Sequence, residues 1–314
     1  MLKNTIAAGI VLYNPDSEER FYKCIDSILS QIDKIYVFDN STDGKKYKFC
    51  DEVVYMTENK NTGIAYALNK IMEAADSDGY SWVITMDQDS ILPFNLVSEY
   101  IKYTDEENLG IICPQVIDKR RSYMSVKENP EIEYVDFCIT SASCTSINAW
   151  KKIGKFDEWL FIDLVDNEFC KRLVVSNYKI LKINKLVLDQ QFGNIIPKST
   201  KVQNFWIKIS KLLKNQNFAK FGYKKKVSEF RVYYTCRNII YVNNKLSKYG
   251  KIGYENYNCD GYLGFIISFC IPSFFRAQKK FKVLKAIFKG SIDGKKAKVE
   301  KWEYIDKDNN YLSR

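Results

Sequence analysis

In Trp82-Val83-Ile84-Thr85-Met86-Asp87-Gln88-Asp89-Ser90 an apolar run of five residues stops against a pair of carboxylates. Such a run, bounded by polar turn formers, reads as a buried strand that opens into a loop. The same grammar recurs upstream. Residues 6–13 form a continuous apolar run, typical of a strand covered on both faces, and end at Asn14-Pro15-Asp16-Ser17. Residues 34–39 form the next strand, ended by Asn40-Ser41-Thr42-Asp43-Gly44, and residues 53–56 a third. Between these strands the period changes to that of a helix. Asp16 or Ser17 caps one that runs to Gln31, and Ile64, Ala67, Leu68, Ile71, Met72 and Ala75 share one face of another.

Downstream, residues 94–103 read as a helix, 109–116 as a strand, 135–148 as a Ser/Thr/Cys-rich strand or loop, 164–176 as a helix and 179–188 as a strand pair. This alternation predicts an α/β fold with a mainly parallel central sheet flanked by helices. Ligands of such sheets bind beyond the carboxyl ends of the strands. The polar clusters after Tyr13, Phe38 and Met86 all fall on that rim. Beyond residue 195 the texture changes, and the basic, aromatic segments 203–221, 227–245 and 279–289 read as helices. The expected division is 1–195, an α/β catalytic domain, and 196–314, a basic helical region.

Charge divides at the same place. Residues up to Asn194 hold 22 Lys/Arg and 30 Asp/Glu, a net −8; those from Ile195 hold 26 and 8, a net +18. The basic part therefore suits an anionic partner such as nucleic acid, anionic lipid or a phosphorylated substrate. The chain has no histidine, which excludes His-based triads, HExxH zinc proteases and His-ligated zinc deaminases. Proton transfer falls to carboxylates, Lys, Tyr or Cys. The nine cysteines form no CxxC pair, so reduced thiols in a cytosolic protein are expected rather than a zinc ribbon. No signal peptide is visible. The apolar stretch 261–275 contains Pro272 and falls short of the roughly 20 residues a spanning helix needs.

No GxGxxG and no GxxxxGK(S/T) is present, so neither a dinucleotide site nor a P-loop is indicated. Asp87 and Asp89, two residues apart at a strand end, can meet a hard divalent cation that shares its coordination with substrate phosphates. Asp39 ends its strand on the same rim, where it either accepts from a base or ribose or closes an Asx-turn. Glu58-Asn59-Lys60-Asn61-Thr62-Gly63 opens a helix, as an anion site or as a simple cap. Asp163, Asp166 and Glu168 cluster at another helix start, a pattern that the helix dipole alone also favours.

Together these pieces resemble the family-2 glycosyltransferases of the GT-A, nucleotide-diphospho-sugar transferase, fold, and among them the bacterial rhamnosyltransferase-like members. The matching segments stand in order: Val11-Leu12-Tyr13-Asn14-Pro15, Val37-Phe38-Asp39-Asn40-Ser41, the stretch from Glu58 to Asn69, Met86-Asp87-Gln88-Asp89-Ser90, the stretch from Phe161 to Arg172, and the stretch from Arg231 to Asn238. The resemblance implies that Tyr13, Asn14, Asp39, Asn61, Gly63 and Asp87 contact the nucleotide-sugar, with Asp39 on the base. It implies that Asp89, with Asp87, binds Mg²⁺ or Mn²⁺ on the diphosphate. Asp166 would be the general base, and Asp163, Ser141, Arg231 and Arg237 would touch acceptor or diphosphate.

Two departures stand out. Gln190 occupies the position where the family often has a metal-binding His, so Asp189 or water would complete the shell. Ser141-Ala142-Ser143 stands where the acceptor loop often has Ser-Gly. The activity implied is inverting sugar transfer to a glycan or lipid-linked acceptor in bacterial surface-polysaccharide assembly, capsule or O-antigen. The donor is dTDP-L-rhamnose first, with UDP-galactofuranose or UDP-galactose second.

The expected location is cytoplasmic and peripheral at the inner face of the membrane, where Lys-rich helical spacing beside the 261–275 wedge would lie in the interface, or else the apolar run packs on the catalytic domain or on a second subunit in a homodimer. Two rivals fare worse. A nucleotidyltransferase would carry a Gly-rich basic loop after its first strand, and Tyr13-Asn14-Pro15-Asp16 has neither feature. A nucleic-acid-binding protein conflicts with the acidic front.

Overall fold

The computed structural model describes residues 6–304 apart from 192 and 194, so the outermost ends of the two expected regions and Phe192 lie outside the described residues. In chain order the elements are β1 (Ile6–Leu12), α1 (Glu18–Leu29), β2 (Ile35–Asp39), β3 (Val53–Thr57), α2 (Ile64–Ser77), β4 (Trp82–Asp87), α3 (Leu96–Ile101), β5 (Leu109–Ile117), β6 (Ile132–Tyr134), β7 (Ser143–Ser146), α4 (Ile147–Lys152), α5 (Val165–Val175) and β8 (Lys179–Asp189). They continue with β9 (Ile195–Pro197), α6 (Thr200–Leu212), β10 (Tyr223–Lys225), α7 (Glu229–Lys245), α8 (Tyr262–Phe265), α9 (Ile271–Arg276) and α10 (Lys280–Lys296).

Eight strands make one sheet in the order β3-β2-β1-β4-β7-β5-β8-β6. β1 pairs in parallel with both β2 and β4, and β2 with β3. β7 runs against β4 and β5, β5 runs with β8, and β6 runs against β8. Six strands therefore share one direction and two are reversed, as a mainly parallel sheet requires. The register sets the functional rim: Leu12 faces Asp39 and Val11 faces Asp87, so β1, β2 and β4 end side by side.

Two segments differ from their sequence reading. β7 is a buried central strand although its residues are Ser, Cys, Thr and Ser. Small side chains allow close cover, and their hydroxyls find carbonyls: Ser143 Oγ donates to Ile139 O. The expected strand pair at 179–188 is instead one strand. Ile183 pairs with Pro114 and Val187 with Gln115, so Asn184, Lys185 and Leu186 bulge out between them. The polar residues that looked like a turn serve that bulge, with Asn184 Nδ2 donating to Pro130 O at 2.8 Å.

Helices cover both faces of the sheet. On one face α1 and α3 pack Phe21, Ile25, Ile28, Leu96 and Tyr100 against β1, β4 and β5. On the other, α2, α4 and α5 pack together with α7 in one apolar cluster that includes Ile71, Trp150, Phe169, Val232, Ile239 and Val242. The basic half of the chain thus contributes its longest aromatic helix to the core over the sheet.

α10 lies against α7 through two glycines. A Cβ on Gly290 would sit 2.4 Å from Tyr233 O, and one on Gly294 2.5 Å from Arg237 O. Either contact is closer than any real methyl group tolerates, so α10 would have to move. Gly290→Ala and Gly294→Ala are each expected to lower unfolding free energy by about 1–3 kcal/mol, the scale of overpacking. Urea denaturation checks this, and an unchanged midpoint would show that α10 does not seat on α7.

Candidate active site

The rim is laced together by side chains from three strand ends. Tyr13 N–H donates to Gln88 Oε1 at 2.7 Å, and Gln88 Nε2 donates back to Tyr13 O at 3.1 Å, so a single amide clamps the end of β1 to that of β4. Asn14 has φ 35° and joins the loop after β2: its N–H donates to Ser41 Oγ and its Oδ1 accepts from Thr42 N–H. Asp39 is buried. Ser41 N–H and Tyr55 OH each donate to one of its carboxylate oxygens at 2.7 Å. A carboxylate offers about four acceptor sites, so each oxygen keeps room for a ligand donor.

Asn40, which the sequence reading passed over, pins the next loop. Its Oδ1 accepts from the N–H and hydroxyl of Thr62, and its Nδ2 donates to Gly63 O. At Gly63 the expected free N–H groups are engaged. Gly63 N–H donates to Asn61 Oδ1 at 3.0 Å and Ile64 N–H to Phe161 O at 2.7 Å. Gly63 has φ 92°, and a Cβ there would meet Phe161 at 2.8 Å. Its glycine character serves the approach of the Phe161 backbone, which brings residues 161–166 to the rim.

Asp87 ends β4 in a cleft, still reached by water but surrounded by protein. Burial raises its pKa, the Gln190 amide opposes that rise, and the charge of Asp89 adds to it. Gln190 Nε2 donates to Asp87 Oδ2, and Gln190 Oε1 accepts from Ser90 Oγ at 2.8 Å. Ser141 donates to Ser90, and its Oγ accepts from Asp87 N–H. Arg20 Nε donates to Asp89 O, which fixes the loop through its backbone.

Among the described residues no group of three or more His, Cys, Asp or Glu forms a metal cage. Two carboxylates beside a neutral amide nevertheless fit the class of Mg²⁺ or Mn²⁺ site that takes its remaining ligands from phosphate and water. Gln190, with its oxygen on Ser90 and its nitrogen on Asp87, acts here as an orienter of Asp87 rather than as a cation ligand.

Residues 161–166 arrive on the opposite wall. Asp163 and Leu164 both have left-handed backbone, φ 66° and 64°, an uncommon state for non-glycine residues. Two carbonyls of this turn, those of Ile162 and Asp163, accept from Asn238 Nδ2 at 2.8 and 2.9 Å. Arg231 grips the Asp163 carboxylate with two nitrogens, and Thr235 adds a third bond. α7 thus holds the turn at three points.

The turn delivers Asp166 to the first turn of α5, where it lines one small cavity with Thr85 of β4 and Thr140. Burial pushes its carboxyl from the ordinary 3.8 up to about 7, with one N–H bond from Asn167 opposing. Behind it, Glu168 and Arg172 form a fully buried bidentate pair, and Lys245 of α7 bonds Glu168 and Asp157 at 2.7 and 2.6 Å. α5 is thereby locked to α7.

Of the expected residues, Tyr13, Asn14, Asp39, Asp87, Asp89 and Ser141 lie at the strand-end rim, and Arg231 links that rim to the Asp163–Asp166 turn, its charge acting on both Asp87 and Asp163. Arg237 does not open onto that rim. Its guanidinium lies 3.8 Å from the centre of the Trp159 ring and 4.6 Å from that of Tyr234, and donates to Trp159 O. Stacked between rings, it braces α7 against the 159–161 segment. Gln88, Asn40 and Asn238 are the positioning residues that the sequence reading missed. Their adjacency to quoted motifs was the available signal, and the partners that give them meaning lie 22–76 positions away.

Asn238→Ala strands two carbonyls of a left-handed turn, so a loss of about 1–3 kcal/mol is expected. Chemical denaturation reads it; a wild-type midpoint would mean that the turn holds itself.

Residues 8–159 match the family model described as glycosyl transferase family 2. The match spans 152 residues, just under half of the chain, and supports the family-2 resemblance read from the sequence. The match contains Tyr13, Asn14, Asp39, Asp87, Asp89 and Ser141, whereas Asp163, Asp166, Gln190 and Arg231 lie beyond it. The chain is also 29% identical to the dTDP-rhamnosyl transferase RfbF of Shigella flexneri, over 57% of this chain and 66% of that protein, just under two thirds of the relative's length.

Among solved structures it is similar to the mannosyltransferase PcManGT from Pyrobaculum calidifontis, solved with GDP-Man and Mn²⁺, at 11% identity over 89% of this chain and 73% of that one, with a TM-score of 0.49. It is also similar to S. aureus TarS at 13% identity over 92% of this chain and 54% of that one, TM-score 0.48. The fold has the arrangement expected of the GT-A resemblance: a mainly parallel sheet, helices on both faces, and Asp39, Asp87 and Asp89 at the strand ends.

Proposed function

We propose that the chain is an inverting, divalent-metal-dependent glycosyltransferase that moves a sugar from a nucleotide-diphosphate donor to a glycan or lipid-linked acceptor. The observation that carries this reading is the set of carboxylates at the strand ends of a family-2 match, Asp39, Asp87 and Asp89, with the Asp163–Asp166 turn tied in through Arg231, whose charge acts on both Asp163 and Asp87. The donor proposed is dTDP-L-rhamnose, supported by the similarity to RfbF. The role proposed is in bacterial surface-polysaccharide assembly, in the cytoplasm at the inner face of the membrane. All nine cysteines are unpaired in the structure, which suits a reducing compartment.

The division of labour proposed is the one the family resemblance implies. Asp39, with Tyr13, Asn14 and Asn61 around it, takes the nucleoside end of the donor. Asp89, with Asp87, would hold Mg²⁺ or Mn²⁺ on the diphosphate, where the cation offsets the charge that develops as the nucleotide leaves. Gln190 and Ser141 keep Asp87 aimed at that place. Arg231 stands between the two walls, close enough to feel both Asp87 and Asp163, and adds a fixed positive charge on the diphosphate side. Asp166 accepts the proton of the acceptor hydroxyl as that oxygen attacks the anomeric carbon from the face opposite the leaving group. A single in-line displacement inverts the anomeric centre.

The deciding experiment screens nucleotide-sugars for hydrolysis and for thermal stabilisation, with Mn²⁺ and with EDTA. A donor that binds only the folded state must raise the midpoint, by about 2.7 kcal/mol at 100 times its dissociation constant. Stabilisation by dTDP-L-rhamnose that needs the metal supports the proposal. Stabilisation by UDP-sugars alone would overturn the donor, and no response to any nucleotide-sugar would overturn the activity.

A further inference from the structure

Residues 262–276 run as one helical segment: α8, a wider π-helical turn at Ile266–Cys270, then α9. Phe265, Cys270 and Ser273 face the protein interior. The opposite face is apolar too. Leu263 is 72% exposed, Ile267 58%, Ile271 45% and Phe275 68%. A helix on a protein surface ordinarily turns polar residues outward, and contiguous exposed apolar side chains mark a binding surface.

The spacing of four is informative. On a regular α-helix each step of four overshoots a turn by about 40°, so the stripe would wander. The π-helical turn holds more residues per turn and takes up part of that drift in the middle of the stripe. The segment is wound so that its exposed apolar residues stay together.

α10 follows directly and continues the surface with a second character. Its inner positions Val283, Gly290 and Gly294 are buried, while Phe281, Phe288 and Ile292 are exposed. Lys279, Lys280, Lys282, Lys285 and Lys289 are exposed around them. Large apolar side chains flanked by lysines, on the half of the chain that carries +18, complement one surface above others: apolar just below and anionic on top. No helix among the described residues is long and apolar enough to cross a membrane, so the segment would lie in such a surface.

We propose that Leu263, Ile267, Ile271 and Phe275 insert into the interface of an anionic lipid bilayer, with the lysines of α10 on the phosphate groups. The surface is coupled to the cleft. Tyr257, just ahead of α8, packs edge-on against Phe265 and at a tilt against Phe269, with ring centres 5.1 and 4.9 Å apart. Its neighbours Glu255 and Asn256 hydrogen-bond the side chain of Asn167, next to Asp166. Seated on lipid, the wedge would hold the Asp166 wall a few residues from the bilayer, where a lipid-linked acceptor presents its sugar. That last clause rests on the glycosyltransferase reading; lipid binding does not.

The test is sedimentation of the full chain with vesicles of phosphatidylcholine containing 0, 20 and 40% phosphatidylglycerol, with no sugar donor present. The expected wild-type result is a partition that rises at least tenfold from 0 to 40% anionic lipid. Ile267→Ser/Phe275→Ser should lower binding at least tenfold at 40%. Lys282→Glu/Lys285→Glu should remove the dependence on anionic lipid. All changed side chains are exposed, and far-ultraviolet circular dichroism of each variant confirms the fold. Wild type that stays in the supernatant at every composition would overturn the proposal. So would an apolar double variant that pellets like wild type, or a wild-type dimer that Ile267→Ser/Phe275→Ser converts to monomer without any change in pelleting. Because donor hydrolysis is measured separately, loss of lipid binding and loss of the catalytic reading are distinguishable.

Discussion

Asp89→Ala is expected to abolish sugar transfer and leave the folded protein intact. Among the described residues, the loop bond at this position uses the Asp89 carbonyl, which accepts from Arg20, and alanine keeps it. What disappears is a carboxylate two residues along the same loop, close enough for its charge to act on Asp87. Losing it relieves like-charge repulsion, so the Asp87 carboxyl, now raised by burial and by Asp89, should titrate lower in the variant. The fold therefore loses nothing and gains slightly, while the donor diphosphate loses the group that would anchor its cation. Losses on removal of such electrostatic stabilisation run to about 10²–10³ for a single hydrogen-bond donor, and a cation contributes more. The measurement is product formation from dTDP-L-rhamnose with Mn²⁺, beside a thermal melt. Wild-type turnover by Asp89→Ala, or by the native enzyme in EDTA, would remove the metal from the mechanism.

The second large effect is at Asp166. Asp166→Asn keeps the shape and the bond to Asn167 but cannot take up a proton, so kcat should fall by about 10²–10⁴ with donor KM little changed. The pH dependence has a definite sign. A base works deprotonated, so wild-type kcat should rise through a midpoint near 7 and reach a plateau above it. Stability should move the other way. The folded state holds this proton up to about 7, while an unfolded aspartate releases it near its ordinary 3.8. Between those values the native state binds more protons than the unfolded state, so stability declines as pH rises through that window. Above pH 7 the wild type therefore carries a buried charge that Asp166→Asn lacks. The variant should be the more stable there, by up to about 2–4 kcal/mol. A dead enzyme that melts higher at pH 8 is the expected signature. Nearly full activity in Asp166→Asn with a dead Asp163→Asn would move the base to Asp163.

The parts of the fold legible in the sequence are those where composition changes abruptly. The apolar runs at 6–12, 35–39 and 82–87 end at polar clusters because the rim is where the sheet meets water, and the helical period between them is uninterrupted. β7 was illegible as a central strand because its burial depends on covering helices that only the assembled sheet supplies. β8 misled because Asn184 and Lys185 look like a turn, and only the bulge opposite Gln115 explains them.

In the site, the sequence places Asp39, Asp87 and Asp89 at strand ends because each follows an apolar run, and the structure has them there. The amides were not legible. Gln88, Asn40 and Asn238 are ordinary residues until the backbone groups they serve come within 3 Å. Arg237 shows the reverse case: a cation in a promising segment whose charge is used on two rings. The change of charge near residue 195 likewise says nothing of packing, since Val232, Ile239 and Val242 lie in the same apolar cluster as Phe169 of α5.

That last arrangement bears on how such enzymes can be recombined. α7 supplies Asn238 and Arg231 to the turn that bears Asp166, Lys245 to the buried Glu168, and a seat for Gly290 and Gly294. A chimera joined at residue 195, with front and back halves drawn from different parents, would keep the α7–α10 seat but cut through the contacts of Asn238, Arg231 and Lys245 with the 162–168 segment. The strand-end rim would be inherited whole, and the segment that bears Asp166 would be mismatched to its α7 support. Exchange of acceptor preference between relatives should instead succeed only when the 159–172 segment travels together with α7 and α10, as one heritable block that is discontinuous in the gene.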